Sequence, residues 1–228
     1  MQSNKSWEND VYVNNHLKIN DNLEIEYGLR ATSMSILGGR DFYMLDDQKN
    51  VVDTVHYNSG KFVKTYFNLQ PRLSSVYRLN QYSSIKAAYG RSIQNMHMLS
   101  NSDFSGLMDR WESSSLYIKP QIADQFTAGY FRNFANNEYE FSVEGYYKDM
   151  QNQIDFKDNA ETTRTEAIEA ELLFGKGRAY GVEFLLKKTK GQFTGWVGYT
   201  LAKSEKKIDG INENKWYNST QILLGCMT

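Results

Sequence analysis

The sequence predicts an all-β protein: an antiparallel up-and-down transmembrane β-barrel segment of about eight long strands, set out as four hairpins. Three observations predict it. Apolar and polar residues alternate with a period of two, over runs longer than the ~9–11 residues that a tilted strand needs to cross a bilayer. Short polar turns and long loops alternate between those runs, the asymmetry of an outer-membrane barrel. Of 228 residues, 14% are aromatic, 16 are Tyr and only 2 are Pro, which suits aromatic girdles and uninterrupted strands.

The clearest hairpin spans residues 179–204. Tyr180, Val182, Phe184 and Leu186 share one parity; Gly181, Glu183 and Lys187 share the other, with Leu185 out of pattern. The turn Thr189-Lys190-Gly191-Gln192 follows, and then Phe193, Val197, Tyr199 and Leu201 alternate against Thr194, Gly198, Thr200 and Ala202.

From the start of the chain, residues 7–19 place Val11, Val13, Leu17 and Ile19 on one face. Asn20-Asp21-Asn22 supplies turn residues that bond to their own backbone. Residues 23–35 put Leu23, Ile25, Tyr27, Leu29 and Ala31 outward and Glu24, Glu26, Gly28, Arg30 and Thr32 inward. Charges on one face exclude contact of that face with lipid. Residues 37–61 are expected to form a long loop. The strand at 62–79 carries Pro71 in its middle, which predicts a bulge or a register break. Asn80-Gln81 turns into a strand at 83–94, with Ile85, Ala87 and Tyr89 outward and Lys86 inward. Residues 95–119 are a second long loop, and 120–133 a strand. Ala135-Asn136-Asn137 is a short turn before a strand at 138–156, where Tyr139, Phe141, Val143 and Tyr147 oppose Glu140, Ser142, Glu144 and Lys148. Residues 157–176 are a third long loop; within it 165–173 has helical character but reads as loop or strand extension. Residues 205–216 are a fourth loop, and 217–224 begin a ninth strand.

Composition excludes several classes. A net charge of -1 gives no field that would hold nucleic acid, so no nucleic-acid partner is expected. No window approaches 18 apolar residues, which excludes a transmembrane helix but not a barrel. The single Cys226 forms no internal disulfide or thiolate metal site. Met1-Gln2-Ser3-Asn4-Lys5 opens a polar stretch without a signal-peptide core, and the chain closes on Gly225-Cys226-Met227-Thr228 rather than on an aromatic strand end. Both ends therefore read as truncated.

Several stretches resemble TonB-dependent outer-membrane receptors, and those of Bacteroides-like bacteria most: Gly28-Leu29-Arg30, Pro71-Arg72-Leu73-Ser74, and Ile85-Lys86-Ala87-Ala88-Tyr89. To these add Ile118-Lys119-Pro120-Gln121-Ile122-Ala123-Asp124-Gln125 with Gly129-Tyr130, Glu144-Gly145-Tyr146-Tyr147-Lys148-Asp149, and Gly177-Arg178-Ala179-Tyr180-Gly181-Val182-Glu183. Their order and spacing carry the resemblance from about Trp7 to Tyr217. It implies a barrel of ~22 strands closed by an N-terminal plug, in a Gram-negative outer membrane. It also implies uptake of a siderophore, vitamin or oligosaccharide, driven by the TonB energy-coupling complex through an N-terminal region. The partners implied are outer-membrane lipid, that complex and the nutrient. Residues 1–228 then form a partial barrel domain, with the plug and the coupling box absent from the chain.

The inward charges Glu24, Glu26, Arg30, Arg72, Lys86, Glu140, Glu144, Lys148 and Glu183 are the candidate lumen-facing set: a hydrated wall against a plug, or a polar passage that tunes what moves through it. In the outer loops, Tyr43, Tyr57, Trp111, Tyr117 and Trp216 are candidate contacts for a sugar or chelate. His16, His56 and His97 lie on three segments without ligand spacing, so no metal site is expected. Asp209-Gly210-Ile211-Asn212-Glu213-Asn214 lacks the alternating acids of a calcium loop and reads as a turn. Gly175-Lys176-Gly177-Arg178 lacks phosphate-loop spacing. No nucleophile elbow or triad is present, so neither an enzyme nor a cofactor is expected.

Three other classes compete with the receptor. A small self-contained outer-membrane barrel with a structural or adhesive role would have to fill a narrow lumen with Arg30, Arg72, Lys86 and Glu144. A soluble ligand-binding barrel would expose the apolar belt of Leu23, Ile25, Tyr27 and Leu29 to water. A hydrolase would need the missing triad.

Overall fold

The computed structural model describes residues 4–99, 110–157, 160 and 167–219. Eight long strands follow the period-two runs. They are β1 (Ser6–Lys18), β2 (Leu23–Leu37), β5 (Phe62–Asn80), β6 (Ser83–Gln94), β9 (Gln121–Phe134), β10 (Tyr139–Phe156), β11 (Leu172–Lys188) and β12 (Gly195–Ile208). With the short β13 (Tyr217–Asn218) they build one nine-stranded antiparallel sheet in the order β1-β2-β5-β6-β9-β10-β11-β12-β13. Each strand pairs with its neighbours in the up-and-down sequence, and within the described residues β1 and β13 are the edges.

The short connections sit at one end of the strands. Asn20 Oδ1 accepts from the backbone N–H groups of Asn22 (2.9 Å) and Leu23 (2.8 Å), and Asn80 Oδ1 does the same for Tyr82 (2.9 Å). Side-chain caps of this kind hold a tight reversal in place. Ala135, Asn136 and Asn137 all have positive φ, and Gly191 turns the last hairpin at φ 103°.

The structure departs from the sequence reading in several places, most of them at the other end. Residues 37–61 are not a plain loop but hold a ribbon of β3 (Arg40–Leu45) and β4 (Val51–Tyr57). Residues 95–119 hold a second ribbon of β7 (Met96–Leu99) and β8 (Arg110–Ser113). Both were hidden because their strands are four to seven residues long, too short for a periodic signal. The 157–176 loop gives way to a 3₁₀ turn at Ile168–Glu171 and to β11 from Leu172, so helix and strand extension each take part of the 165–173 run. Residues 158–159 and 161–166 of that loop, like Cys226 and the end of the proposed ninth strand, lie outside the described residues. Last, Pro71 makes no bulge. The β2–β5 ladder passes Leu29↔Pro71 in register, and the β5–β6 ladder begins only at Arg72↔Gly90. A residue without an N–H is tolerated where one ladder stops.

The sheet curls toward its polar face. Asn95, just past the end of β6, donates to Glu8 on β1 (2.9 Å), across the two intervening strands β2 and β5. The buried apolar residues are few and cluster near the ribbons: Leu99, Ile118, Ile154, Ile168 and Leu172 form one core. The apolar residues of the long strands are instead exposed, Val13 at 65%, Leu73 at 50% and Leu201 at 55%.

Candidate functional site

The register assembles the inward charges. One row runs Glu24, Val76, Lys86, Gly129, Glu144, Glu183 and Thr200 across seven strands. The next rows add Glu26 opposite Ser74, and Arg72 and Lys148 through Gly90 and Gln125. Arg30 lies opposite Gln70 and Glu140 opposite Lys187, with the same parity. All nine candidates thus share the concave face. They are paired to different degrees. Glu24 accepts from Arg78 (2.9 Å), Glu140 from Lys187 (3.3 Å) and Asp10 from Arg30. The Lys86 ammonium stands 4.2 Å over the Phe131 ring. Glu144 and Glu183 face each other across β10 and β11 as like charges, which are unfavourable unless well hydrated.

The convex face reads differently. Cross-strand rows such as Tyr77, Ile85, Tyr130, Val143, Phe184 and Tyr199 make a continuous apolar band. Its upper margin is aromatic: Tyr89 packs on Phe126 (4.8 Å) and Tyr147 on Tyr180 (6.5 Å). One row further on, the same face turns charged through Arg91, Asp124, Asp149, Arg178 and Glu205. Asp124 accepts two bonds from Arg91 (2.8 Å each) and one from Tyr89 (2.7 Å); Glu205 accepts from Arg178 (2.8 Å) and pairs with Lys203 (2.6 Å). The sequence reading singled out none of these. The signal was there for four of them, since Arg91, Asp124, Asp149 and Arg178 each break an apolar parity two residues from an aromatic residue; Glu205 has no such neighbour. An aromatic margin followed by ion pairs is how a hydrocarbon band gives way to a headgroup zone.

The five loop aromatics do not converge. Tyr43 lies on β3 opposite Thr54. Tyr57 ends β4, in edge contact with Phe42 (5.5 Å) and under the Lys61 ammonium (4.9 Å). The Tyr117 hydroxyl accepts from the Leu45 N–H (2.8 Å), so it ties one ribbon to the segment after the other. Trp216 lies against the Arg178 guanidinium (4.2 Å), at the convex rim. Trp111 differs: it is 60% exposed and lines a cavity of about 560 Å³ on the concave face, under the β7–β8 ribbon.

Over that cavity the loops form a cap. The Tyr66 hydroxyl donates to Ser115 O (2.7 Å) and the Lys64 ammonium to Leu116 O (2.7 Å). Ser115 donates through its hydroxyl to Glu169, whose carboxyl is pushed up by burial. His97 is 1% exposed, bonded through Nε2 to the Ser114 hydroxyl (3.0 Å), and burial pushes its imidazole down to about 4. His56 instead pairs with Asp41 (2.6 Å) on the first ribbon. Among the described residues no group of three His, Cys, Asp or Glu is placed to hold a metal.

A curled antiparallel sheet with an apolar convex band, a charged concave face and a folded loop end defines a segment of a membrane-spanning β-barrel wall. The sequence matches the family described as "TonB dependent receptor-like, beta-barrel" over residues 2–222, and the chain belongs to that family. Its members are transporters rather than enzymes. The fold is shared with the FrpB iron transporter of Neisseria meningitidis (F3-3 variant; TM-score 0.57, 14% identity, 89% of this chain and 26% of that one). It is also shared with the structure of the FpvAI–pyocin S2 complex (TM-score 0.58, 13% identity, 93% and 24%). A third is the ferric-catecholate import receptor Fiu from K12 E. coli (TM-score 0.52, 18% identity, 89% and 28%). The chain spans about a quarter of the length of these structures. The sequence has no match among curated proteins.

Proposed function

We propose that this chain forms part of the wall of an outer-membrane receptor that imports a nutrient by the energy-coupled route of its family. The observation that carries the reading is the division of one sheet into a lipid-compatible convex band and a charged concave face roofed at one end by folded loops. In this reading the concave face is the lumen wall, and Glu24, Glu26, Arg30, Arg72, Lys86, Glu140, Glu144, Lys148 and Glu183 line a hydrated passage or meet a plug. The plug and the contact with the TonB complex belong to an N-terminal region, and the charged convex rim lies at the headgroups of the membrane. The named cargo of FrpB (iron) and of Fiu (a ferric catecholate) makes an iron chelate the first class to test, ahead of vitamins and oligosaccharides.

The test is accumulation of a labelled chelate panel by cells that express the full-length protein, with and without a protonophore. Saturable accumulation that collapses on de-energising supports the reading. Passive entry that is unchanged by the protonophore overturns it.

A further inference from the structure

The cavity under the β7–β8 ribbon gathers hydrogen-bonding groups that the fold leaves open. Gln153 on β10 borders it at 8% exposure, and its amide makes no hydrogen bond among the described residues. Gln121, at the start of β9, borders the same space with its amide likewise open among those residues. His97 borders it from the ribbon. Its Nε2 is bonded to the Ser114 hydroxyl (3.0 Å), and its buried Nδ1 has no partner among the described residues. A polar group withdrawn from water without a partner is costly, so these positions favour a ligand that fills them.

The chemistry of the open groups narrows the ligand. Each amide offers both a donor and an acceptor. A neutral imidazole offers one or the other at Nδ1, because the Ser114 hydroxyl can meet Nε2 in either tautomer. An anion only accepts and an ammonium only donates, whereas a hydroxyl does both. Lys148, half-buried on the floor, adds one more donor. Lys206 also borders the cavity but already has a partner, so it supplies no unmet charge.

Beside this polar floor stands Trp111, 60% exposed, a flat apolar surface. The pairings Met98↔Trp111 and His97↔Glu112 put Trp111 and His97 on opposite faces of the ribbon, so the cavity passes the ribbon edge to border both. A ligand that meets both is longer than one ring. At about 560 Å³ the space falls within the ~300–1,000 Å³ typical of small-molecule sites.

We propose that this cavity binds an uncharged chain of hydroxylated rings, a short oligosaccharide, with one ring stacked on Trp111 and the next hydrogen-bonded by His97 Nδ1 and the Gln121 and Gln153 amides. The iron cargo of FrpB and Fiu orders the uptake panel; the cavity's own side chains order the binding panel. The inference rests on the uptake reading for why such a solute arrives, but binding is measurable without transport.

The experiment uses the purified full-length protein in a sugar-free detergent, with calorimetry as the readout. The probes are maltotriose, cellotriose and N-acetylated chitotriose. The controls are pentaethylene glycol dimethyl ether, which accepts hydrogen bonds but donates none, and citrate. At least one sugar binds, its affinity is unmoved by added salt, and neither control binds. Trp111→Ala weakens that binding about tenfold, and Trp111→Phe retains most of it. Gln121→Leu and Gln153→Leu each weaken it about fivefold. Should a variant of the buried Gln153 fail to assemble, Trp111→Ala decides the matter, since that side chain is 60% exposed. Binding of none of the three sugars overturns the subsite. So does equal binding of the ether, binding of citrate in place of the sugars, or sugar affinity indifferent to Trp111 and both amides. Uptake measured beside it separates the two readings. Sugar binding that is lost in Trp111→Ala, beside energy-independent uptake, sinks only the transport reading. Energy-dependent uptake by a protein that binds none of the sugars sinks only the subsite.

Discussion

The wall and the cap of this molecule obey opposite rules of burial. In the wall, large apolar side chains such as Val13, Leu73, Tyr199 and Leu201 stand exposed, and the strands are held by backbone ladders. In the cap, Ile118, Ile168 and Leu172 are buried to 4% exposure or less, and side chains bond to loop backbone. The wall is built for a solvent of hydrocarbon, the cap for water. Apolar exposure in the wall is therefore a statement about the membrane, while apolar burial in the cap is the ordinary hydrophobic core.

The comparison breaks most readily at Ile118. Ile118→Ala removes a fully buried side chain from the cap core, at a cost of about 2–5 kcal/mol. Leu201→Ala, on the convex face, leaves no cavity inside the protein and costs far less. Hydrogen exchange on the full-length protein should show the cap opening in the first variant, with the wall unchanged in both. Equal protection loss in the two would show that wall and cap share one core.

Within the wall, the two faces separate at adjacent residues. Tyr27→Arg places a charge in the middle of the apolar parity of β2 and costs about 2–4 kcal/mol in a bilayer, whereas Glu26→Arg stays on the charged concave face. Only the first should lower the temperature at which the folded band is lost on a heat-modifiability gel. Aqueous thiol reagents should label Glu26→Cys and spare Tyr27→Cys; the reverse pattern would invert the sheet.

The cap alone should respond to mild acid. His97 titrates at about 4 in the fold and near 6.5 when released, so the unfolded cap binds a proton that the folded cap refuses. Its stabilising contribution is complete above about pH 6.5 and falls as the pH drops toward 4, by ~3 kcal/mol at most. Glu112 faces His97 across the ribbon, and the Ser114 hydroxyl holds Nε2. Trp111 fluorescence followed between pH 7 and 4 should report cap opening in the native protein and stay flat over that range in His97→Gln. An identical acid transition in the variant would assign it to another group.

This contrast also explains what the sequence could tell. The eight long strands were legible because a membrane wall repeats one constraint, apolar out and polar in, for a dozen residues at a time. Glu24, Lys86, Glu144 and Glu183 fell on one row because period-two parity survives five intervening turns and loops. The cap obeys no period. Tyr117 and Trp111 look alike in sequence, yet one is spent on a backbone bond and the other edges a cavity. Lys148 was read as one wall charge among nine; that it shares a cavity with Lys206 depends on the ribbon folding over it, which four-residue strands do not announce.

The smallest expected effect tests the end of the wall that the cap never touches. Gly191 turns the β11–β12 connection at φ 103°, a conformation that a residue with a Cβ adopts only under strain. Space is not the obstacle, because an added Cβ would come no nearer than 3.6 Å to the Lys188 side chain. Gly191→Ala should therefore cost roughly 1–2 kcal/mol through the backbone alone. The loss should fall on the hairpin closed by Lys188 and Gly195, leaving the acid transition at His97 where it was. Thermal melting of the folded band against the pH profile of Trp111 separates the two. If Gly191→Ala shifts the cap transition as much as the melting of the wall, strain passes along the full length of β11 and the two regions are not independent.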